Sequence, residues 1–368
     1  MTTNIEAIFK LALSGIQQLT PYIPGKPAEE LQRELGLTEI IKLASNENPL
    51  GPSPKALVAM QSSLNELARY PDGSGFRLKK ALATKLNVAT EQITLGNGSD
   101  EILSLIAKTF LTLETNIIIS QYAFAVYAIA AQAAGAKIKT IPAINYGYDL
   151  QAMLAAVDQN TRIIFIANPN NPTGTLLTQT ELKAFVTALP KTVLCVIDEA
   201  YFEYRKIAPE QDCIQWLNEF PNLIITRTFS KAYGLAGLRV GYCISHPIIA
   251  DLLNRIRPPF NNNSLALVAA TAALTDIEHL NASIAINQIG MQQLINAFKQ
   301  LKLNWIPSAG NFICVDFQRP AAIIYQALLQ KGIIVRPVAN YQLPNHLRIS
   351  IGTEVENQKF IEALAQVL

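Results

Sequence analysis

TRTFSKAYGLAGLRVGY, residues 226–242, sets a lysine among hydroxyl-bearing residues and follows it with Gly-Leu-Ala-Gly-Leu-Arg. Lys231 is the candidate covalent anchor for a cofactor. A lysine that forms a Schiff base needs a pocket that lowers its pKa, and small neighbours let a bulky ring approach the backbone. Gly234, Ala236 and Gly237 are expected to supply that room. The guanidinium of Arg239 is a planar fork of donors suited to a phosphate, and Thr228 and Ser230 add hydroxyls for the same group. Taken alone, the Ser-Lys pair reads equally as a solvated surface turn, so the rest of the chain has to decide.

Working outward, short β-branched runs alternate with amphipathic helical stretches from Gln92 onward: Gln92–Leu95, Asn116–Ile119, Lys137–Ile141, Arg162–Ala167, Val193–Ile197, Leu223–Thr226 and Val240–Ile244. Continuous apolar runs bounded by Gly, Pro and Asn predict strands buried on both faces, hence an α/β domain with a mostly parallel seven-stranded sheet covered by helices. Ligands of such sheets bind at the carboxyl ends of the strands. Beyond Leu303 the order becomes strand, helix, strand, strand and terminal helix, which reads as a smaller α+β domain. Before residue 40, two helices flank the rigid run Pro21-Tyr22-Ile23-Pro24, which places Tyr22 on an extended arm. The expected division is 1–40 as arm and part of the small domain, 41–257 as the large domain, and 258–368 as interdomain helix and small domain.

Half of the 368 residues are apolar, which excludes disorder, and 30 basic against 28 acidic side chains leave no global field for nucleic acid or an anionic membrane. Four separated cysteines, no C-x-x-C pair and three histidines predict structural thiols in a reducing cytoplasm and no metal site. The start lacks the basic-then-apolar order of a secretory signal. Thr115–Ala136 is uncharged for about the length of a membrane span, but Asn116, Gln121, Gln132 and Gly135 split it into a strand and an Ala-rich helix. No membrane span is expected.

Besides Thr228–Lys231, three motifs fall at strand ends. Gly96-Asn97-Gly98-Ser99-Asp100 leads into a helix whose first N–H groups can hold a phosphate, although Ser99 or Asp100 can equally serve as a plain helix cap. The third glycine of a dinucleotide fingerprint is missing, which disfavours a nicotinamide dehydrogenase. Asn168-Pro169-Asn170-Asn171-Pro172-Thr173-Gly174 cannot extend its strand, because proline lacks a donor, and it presents Asn171 at the sheet edge. Asp198, at the end of an apolar strand, needs a cation or donor to offset its desolvation. A pyridinium nitrogen would serve, and so would Arg205 or the start of the next helix. Late in the chain, alternation puts Arg348 with Ser350 on the polar face of a strand, and Arg336 lies on a neighbouring one.

Together these stretches resemble the pyridoxal-phosphate aminotransferases of the aspartate aminotransferase fold, fold type I, and most closely the histidinol-phosphate aminotransferase family. The resemblance runs from Pro21-Tyr22 through Lys42–Gly51, the motifs above and Pro259–Ala266, to Leu347–Asn357. It implies a homodimer that uses pyridoxal 5'-phosphate to exchange an amino group between L-histidinol phosphate and 2-oxoglutarate, leaving glutamate. Under it, Lys231 is catalytic, Asp198 meets the ring nitrogen, and Asn171 and Tyr201 meet the phenolic oxygen. Phe124 stacks on the ring, in a segment where the usual Pro-Thr is altered to Tyr122-Ala123. Ser99, Asp100, Thr228, Ser230 and Arg239 belong to the phosphate, with Tyr70 reaching the phosphate of the neighbouring subunit. Tyr22, Asn46, Arg336 and Arg348 become substrate residues, Arg348 at a carboxylate and Arg336 with Tyr22 at the distal anion. An aminotransferase for phenylalanine or tyrosine and a decarboxylase on the same fold are the rival readings.

Overall fold

Seven strands at the predicted places form one sheet: β2 (Ile93–Gly96), β3 (Asn116–Ser120), β4 (Lys137–Ile141), β5 (Thr161–Ala167), β6 (Leu194–Asp198), β7 (Leu223–Thr228) and β8 (Gly241–Ser245). Their order is β2-β8-β7-β6-β5-β3-β4. The computed structural model describes residues 2–22, 24–205 and 212–368; Ile23 of the expected arm lies outside them. Strands β7, β6, β5, β3 and β4 run parallel, whereas β8 is antiparallel to both β7 and β2. The cause lies in residues 226–242. A parallel neighbour needs a crossover of a dozen or more residues, usually helical, but between β7 and β8 the only helix is the 3-10 turn Ala236–Leu238, so the chain returns antiparallel. Lys231 therefore sits in a hairpin-like connection at the carboxyl end of β7.

Alternation along each strand feeds two apolar layers. Ile164 and Ile166 of β5 join one cluster with Cys195, Ile197, Leu223 and Ile225, while Ile163 and Phe165 join the other with Val196 and Ile224. Each fully buried aliphatic side chain of this kind contributes roughly 1.5–3 kcal/mol, so the sheet is anchored on both faces. The edge strand β4 is only partly buried, with Lys137 exposed, which blunts an open sheet edge. Residues 115–136 fold as the strand β3 and the helix Ala125–Ala133, as the polar interruptions predict. Among the described residues no helix is long and apolar enough to cross a membrane. All four cysteines are buried and free.

A second sheet takes β1 (Ile41–Leu43), β9 (Asn304–Ile306), β10 (Phe312–Asp316), β11 (Ile333–Pro337) and β12 (His346–Ser350) in the order β1-β11-β12-β10-β9. Two placements differ from expectation. Ile41–Leu43, assigned above to the large domain, pairs parallel with Ile333–Val335 of the smaller sheet. The helix Ser264–Ala273, assigned to the C-terminal portion, buries Ala266, Ala269 and Ala270 in the core of the larger sheet. Strand β9, too short to show a period, had no signal in the sequence. The long helix Ile277–Gln300 spans both bodies as predicted: Leu280 packs on the large core, and Leu294 and Phe298 lie in the small one.

The glycines of the lysine loop have a different purpose from the one expected. Gly234 has φ +70°, and a Cβ there would stand 2.0 Å from the Gly51 carbonyl oxygen, so its small size lets the loop meet the Gly51-Pro52 backbone. Gly237 faces open space. Neither lines the cavity described next.

Candidate active site

The carboxyl ends of β2, β3, β5, β6 and β7 open on one cavity of about 440 Å³, closed on its other side by the small sheet and by Tyr22, Pro24, Gly25, Ala44, Ser45 and Asn46. Of the residues singled out in the sequence, Tyr22, Asn46, Ser99, Asp100, Phe124, Asn171, Asp198, Tyr201, Thr228, Ser230, Lys231, Arg239, Arg336 and Arg348 all line it. Tyr70 does not. It is 82 % exposed, stacks on Phe260 at 4.7 Å between ring centroids, and borders a separate cleft with Phe76 and Leu267.

Lys231 enters the cavity with its Nζ donating to the Ser45 carbonyl oxygen at 3.1 Å. Burial, with the Arg348 guanidinium second, holds its ammonium down at about 8. Asp198 is buried, and Tyr127 donates its hydroxyl to Oδ2 at 2.7 Å while the Ala200 N–H donates to Oδ1 at 3.2 Å. Burial pushes this carboxyl up to about 6, against Tyr127, whose hydrogen bond favours the ionised form. The alternative partner does not apply, because Arg205 binds Glu199 at 2.6 Å instead.

At the other end stands a cluster of donors. The helix Ser99–Phe110 begins after Gly98 with no side-chain cap, so the capping alternative for Ser99 and Asp100 fails. Asp100 pairs instead with Arg239 at 3.2 Å, whose Nη1 donates to Ser230 Oγ at 3.4 Å. Gly98, at φ +80°, makes this possible: a Cβ would come within 2.3 Å of Arg239 Nη2. The close approach expected of the lysine-loop glycines is supplied here.

The third wall is the polar face of the small sheet. Leu347 and Ile349 point into its core, while Arg336 on β11 and Arg348 on β12 are paired across the sheet in register and lie on the opposite side, both buried. Such a strand arginine is ordinarily solvated; here the large domain covers it. Arg348 donates to the Ala44 carbonyl at 2.8 Å and to Asn171 Oδ1. Since a guanidinium only donates, the carbonyl end of the Asn171 amide faces Arg348 and its donor end is left for the cavity. The Arg336 guanidinium lies 5.6 Å from the centroid of the Tyr22 ring.

Three participants were missed by sequence reasoning. Tyr127 stands three residues after Phe124, in the first turn of the helix Ala125–Ala133 that Phe124 precedes, and that closeness in sequence was the available signal. The Ser45 carbonyl had none. Ser350, two residues beyond Arg348, had its face predicted but not its partners: it accepts from the Asn46 N–H at 2.7 Å and donates to Asn46 Oδ1 at 3.0 Å.

The sequence model of the family described as aminotransferase class I and II matches residues 38–364. The chain is 58% identical over 360 residues to histidinol-phosphate aminotransferase 2 of Pseudomonas fluorescens, covering 97% of each. It is 54% identical to histidinol-phosphate aminotransferase 1 of Nitrosococcus oceani, over 98% of this chain and 97% of the relative. Its fold superposes on the crystal structure of histidinol-phosphate aminotransferase from Sinorhizobium meliloti in complex with pyridoxal-5'-phosphate, with a TM-score of 0.88, 32% identity and 96% of both chains covered.

Proposed function

Because the chain belongs to the class I and II aminotransferase family, we propose that it is a pyridoxal 5'-phosphate enzyme exchanging the amino group of L-histidinol phosphate with 2-oxoglutarate, giving imidazole acetol phosphate and glutamate in histidine biosynthesis. The observation that carries the substrate reading is the register pairing of Arg336 with Arg348 on the wall of the cavity that Lys231 enters. Two neighbouring guanidiniums accept either a phosphate or a pair of carboxylates. One site can then alternate between histidinol phosphate and glutamate.

The residues fit the cofactor on three counts. Arg239, Ser230, Thr228, Ser99 and an uncapped helix start form the donor set of a phosphomonoester, around a glycine that no other residue can replace without meeting Arg239. A carboxylate beside a phosphate repels it, so Asp100 contributes its N–H and holds Arg239 rather than meeting the anion itself. Asp198 is a buried anion whose free edge needs a protonated nitrogen. Lys231 has its ammonium pKa lowered far enough for the neutral amine to form.

When bound, pyridoxal phosphate supplies an electron sink for negative charge at the substrate Cα. The protein's part is proton transfer and orientation. The Lys231 amine would take the Cα proton and hold it for return, with the Ser45 carbonyl holding Nζ at the cavity wall. Asp198, steadied by Tyr127, would keep a proton on the ring nitrogen. The donor end of Asn171 and the hydroxyl of Tyr201 would serve the phenolic oxygen, Phe124 would pack on the ring, and Asn46 would border the substrate with Tyr22 and the two arginines.

A homodimer with Tyr70 completing the partner's phosphate site is part of this reading. It is supported by the exposure of Tyr70 together with Leu57, Val58, Leu64, Leu67 and Phe76 on one stretch of chain, of which Tyr70 and Phe76 line a cleft of about 760 Å³. Exposed apolar surface of this extent marks an interaction site. A cytoplasmic location is supported by the four free thiols.

The reading is tested by adding L-histidinol phosphate to the holoenzyme with no oxo acid and following the visible spectrum. Bleaching of the yellow band at low substrate is expected. Persistence with histidinol phosphate but bleaching with phenylalanine or tyrosine would move the substrate to the aromatic class. Arg336→Ala is expected to raise KM for histidinol phosphate about 10- to 100-fold, the worth of a charged hydrogen bond, while sparing an uncharged aromatic amine. Equal loss for both substrates would remove Arg336 from the distal anion.

A further inference from the structure

The hydrogen-bond directions around Tyr201 follow from one hydroxyl outside the cavity lining. Ser350 Oγ accepts the backbone N–H of Asn46 at 2.7 Å, and its own proton goes to Asn46 Oδ1 at 3.0 Å. Among the described residues Ser350 has no other side-chain bond. With its oxygen end fixed on Ser350, the Asn46 amide presents Nδ2 to the Tyr201 hydroxyl oxygen at 2.9 Å. An amide nitrogen only donates. The Tyr201 oxygen is therefore an acceptor on that side, and its proton is left for the cavity that Tyr201 lines. The opposite amide orientation would consume the Tyr201 proton on Asn46 and leave the Ser350 proton buried without an acceptor.

We propose that Ser350 is a positioning residue that, through the side-chain amide of Asn46, makes the Tyr201 hydroxyl an obligatory donor into the cavity, aimed at an oxyanion of the bound cofactor. This rests on the reading that Tyr201 meets the phenolic oxygen. The relay joins the two bodies: Ser350 belongs to β12 of the small sheet, Asn46 follows β1, and Tyr201 follows β6 of the large one. Asn46 holds a left-handed φ of 54°, and Asn311 Nδ2 donates to its carbonyl at 3.0 Å, so its backbone is fixed as firmly as its side chain. The charged and titratable groups facing Tyr201 are Lys231, with Nζ 5.9 Å from the ring centroid, and Arg348, Asp198 and Tyr341; none of them takes the hydroxyl proton.

A donor at an oxyanion favours the more negative form of the group. Losing it raises the pH midpoint at which the visible band of the holoenzyme changes. The experiment titrates that band in the wild type, Ser350→Ala, Ser350→Thr, Asn46→Asp and Tyr201→Phe. Tyr201→Phe is expected to raise the midpoint by about one pH unit, the worth of one hydrogen bond to a charged group. Ser350→Ala should move it in the same direction, and Ser350→Thr, which keeps the hydroxyl, should restore the wild-type value. Asn46→Asp, whose carboxylate only accepts and so captures the Tyr201 proton, gives the same upward shift without touching β12. A wild-type midpoint in both Ser350→Ala and Asn46→Asp, beside a shifted Tyr201→Phe, overturns the relay. If Tyr201→Phe itself leaves the midpoint unmoved, the assignment of Tyr201 to the phenolic oxygen fails instead.

Discussion

Lys231→Ala is expected to lower kcat by roughly 10⁴-fold or more, the loss of the proton-transferring amine together with the covalent anchor. The argument is one of elimination within the cavity. Lys231 is the only amine among the lining residues; the other cations there, Arg239, Arg336 and Arg348, carry guanidiniums, which only donate. Asp198 is the only other lining group near neutrality, but it is held by Tyr127 and the Ala200 N–H and is assigned to the ring nitrogen in the proposed reading. No lining side chain is left to take the Cα proton. The donors around Gly98 and Arg239 are untouched by the substitution, so the variant should still retain cofactor. Borohydride treatment followed by mass measurement would fix cofactor to the wild type and not to the variant. A variant that turned over at the wild-type rate would sink the mechanism, whatever its cofactor content.

The fold and most of the cavity lining were legible because each depended on local chemistry. Apolar strands announce a sheet buried on both faces, and Asn-Pro or Gly-x-Gly breaks announce where its strands stop, which is also where ligands sit. What local chemistry does not carry is pairing at a distance. Ile41–Leu43 gives the same β signal in either sheet, and only its register with Ile333–Val335, nearly three hundred residues away, decides between them. The same holds for Arg336 and Arg348. Each is an ambiguous strand arginine in sequence, and both become site residues only once the β11–β12 register sets them side by side and the large domain covers them. Gly98 and Gly234 make the point for backbone. Both occupy left-handed positions, yet one admits Arg239 and the other admits Gly51, and nothing within a few residues of either tells them apart.

Directly behind the cavity lies a charge cluster whose disruption should have the largest effect on stability. Glu199 follows Asp198, and Arg227 precedes Thr228, so the pair ties together the ends of β6 and β7 that line the cavity. Glu199 is fully buried; its Oε2 accepts from Arg227 Nε and Nη2 at 2.9 and 2.7 Å, and its Oε1 accepts from Arg205 at 2.6 Å. Asp212 takes a further bond from Arg227 at 2.6 Å, and the Arg227 guanidinium lies 3.4 Å from the centroid of the Phe202 ring. Removing the Glu199 charge leaves the buried Arg205 guanidinium without its carboxylate and Arg227 with Asp212 alone, so Glu199→Gln is expected to cost about 3–5 kcal/mol of unfolding free energy in urea titration. Burial alone would push the Glu199 carboxyl up, but Arg227 and Arg205 hold it below the ordinary carboxylate value. A depressed folded pKa means the stabilisation is complete above the ordinary carboxylate pKa and is lost as pH falls through the folded one. The gap between wild type and variant should therefore be widest near neutrality and narrow in acid. Glu199→Gln with Arg227→Gln should cost clearly less than the sum of the two single variants, because each alone already removes the ion pair that the two share. A single-variant cost below about 1 kcal/mol, or strict additivity, would reduce the cluster to a solvent-like ion pair with no hold on the two strand ends.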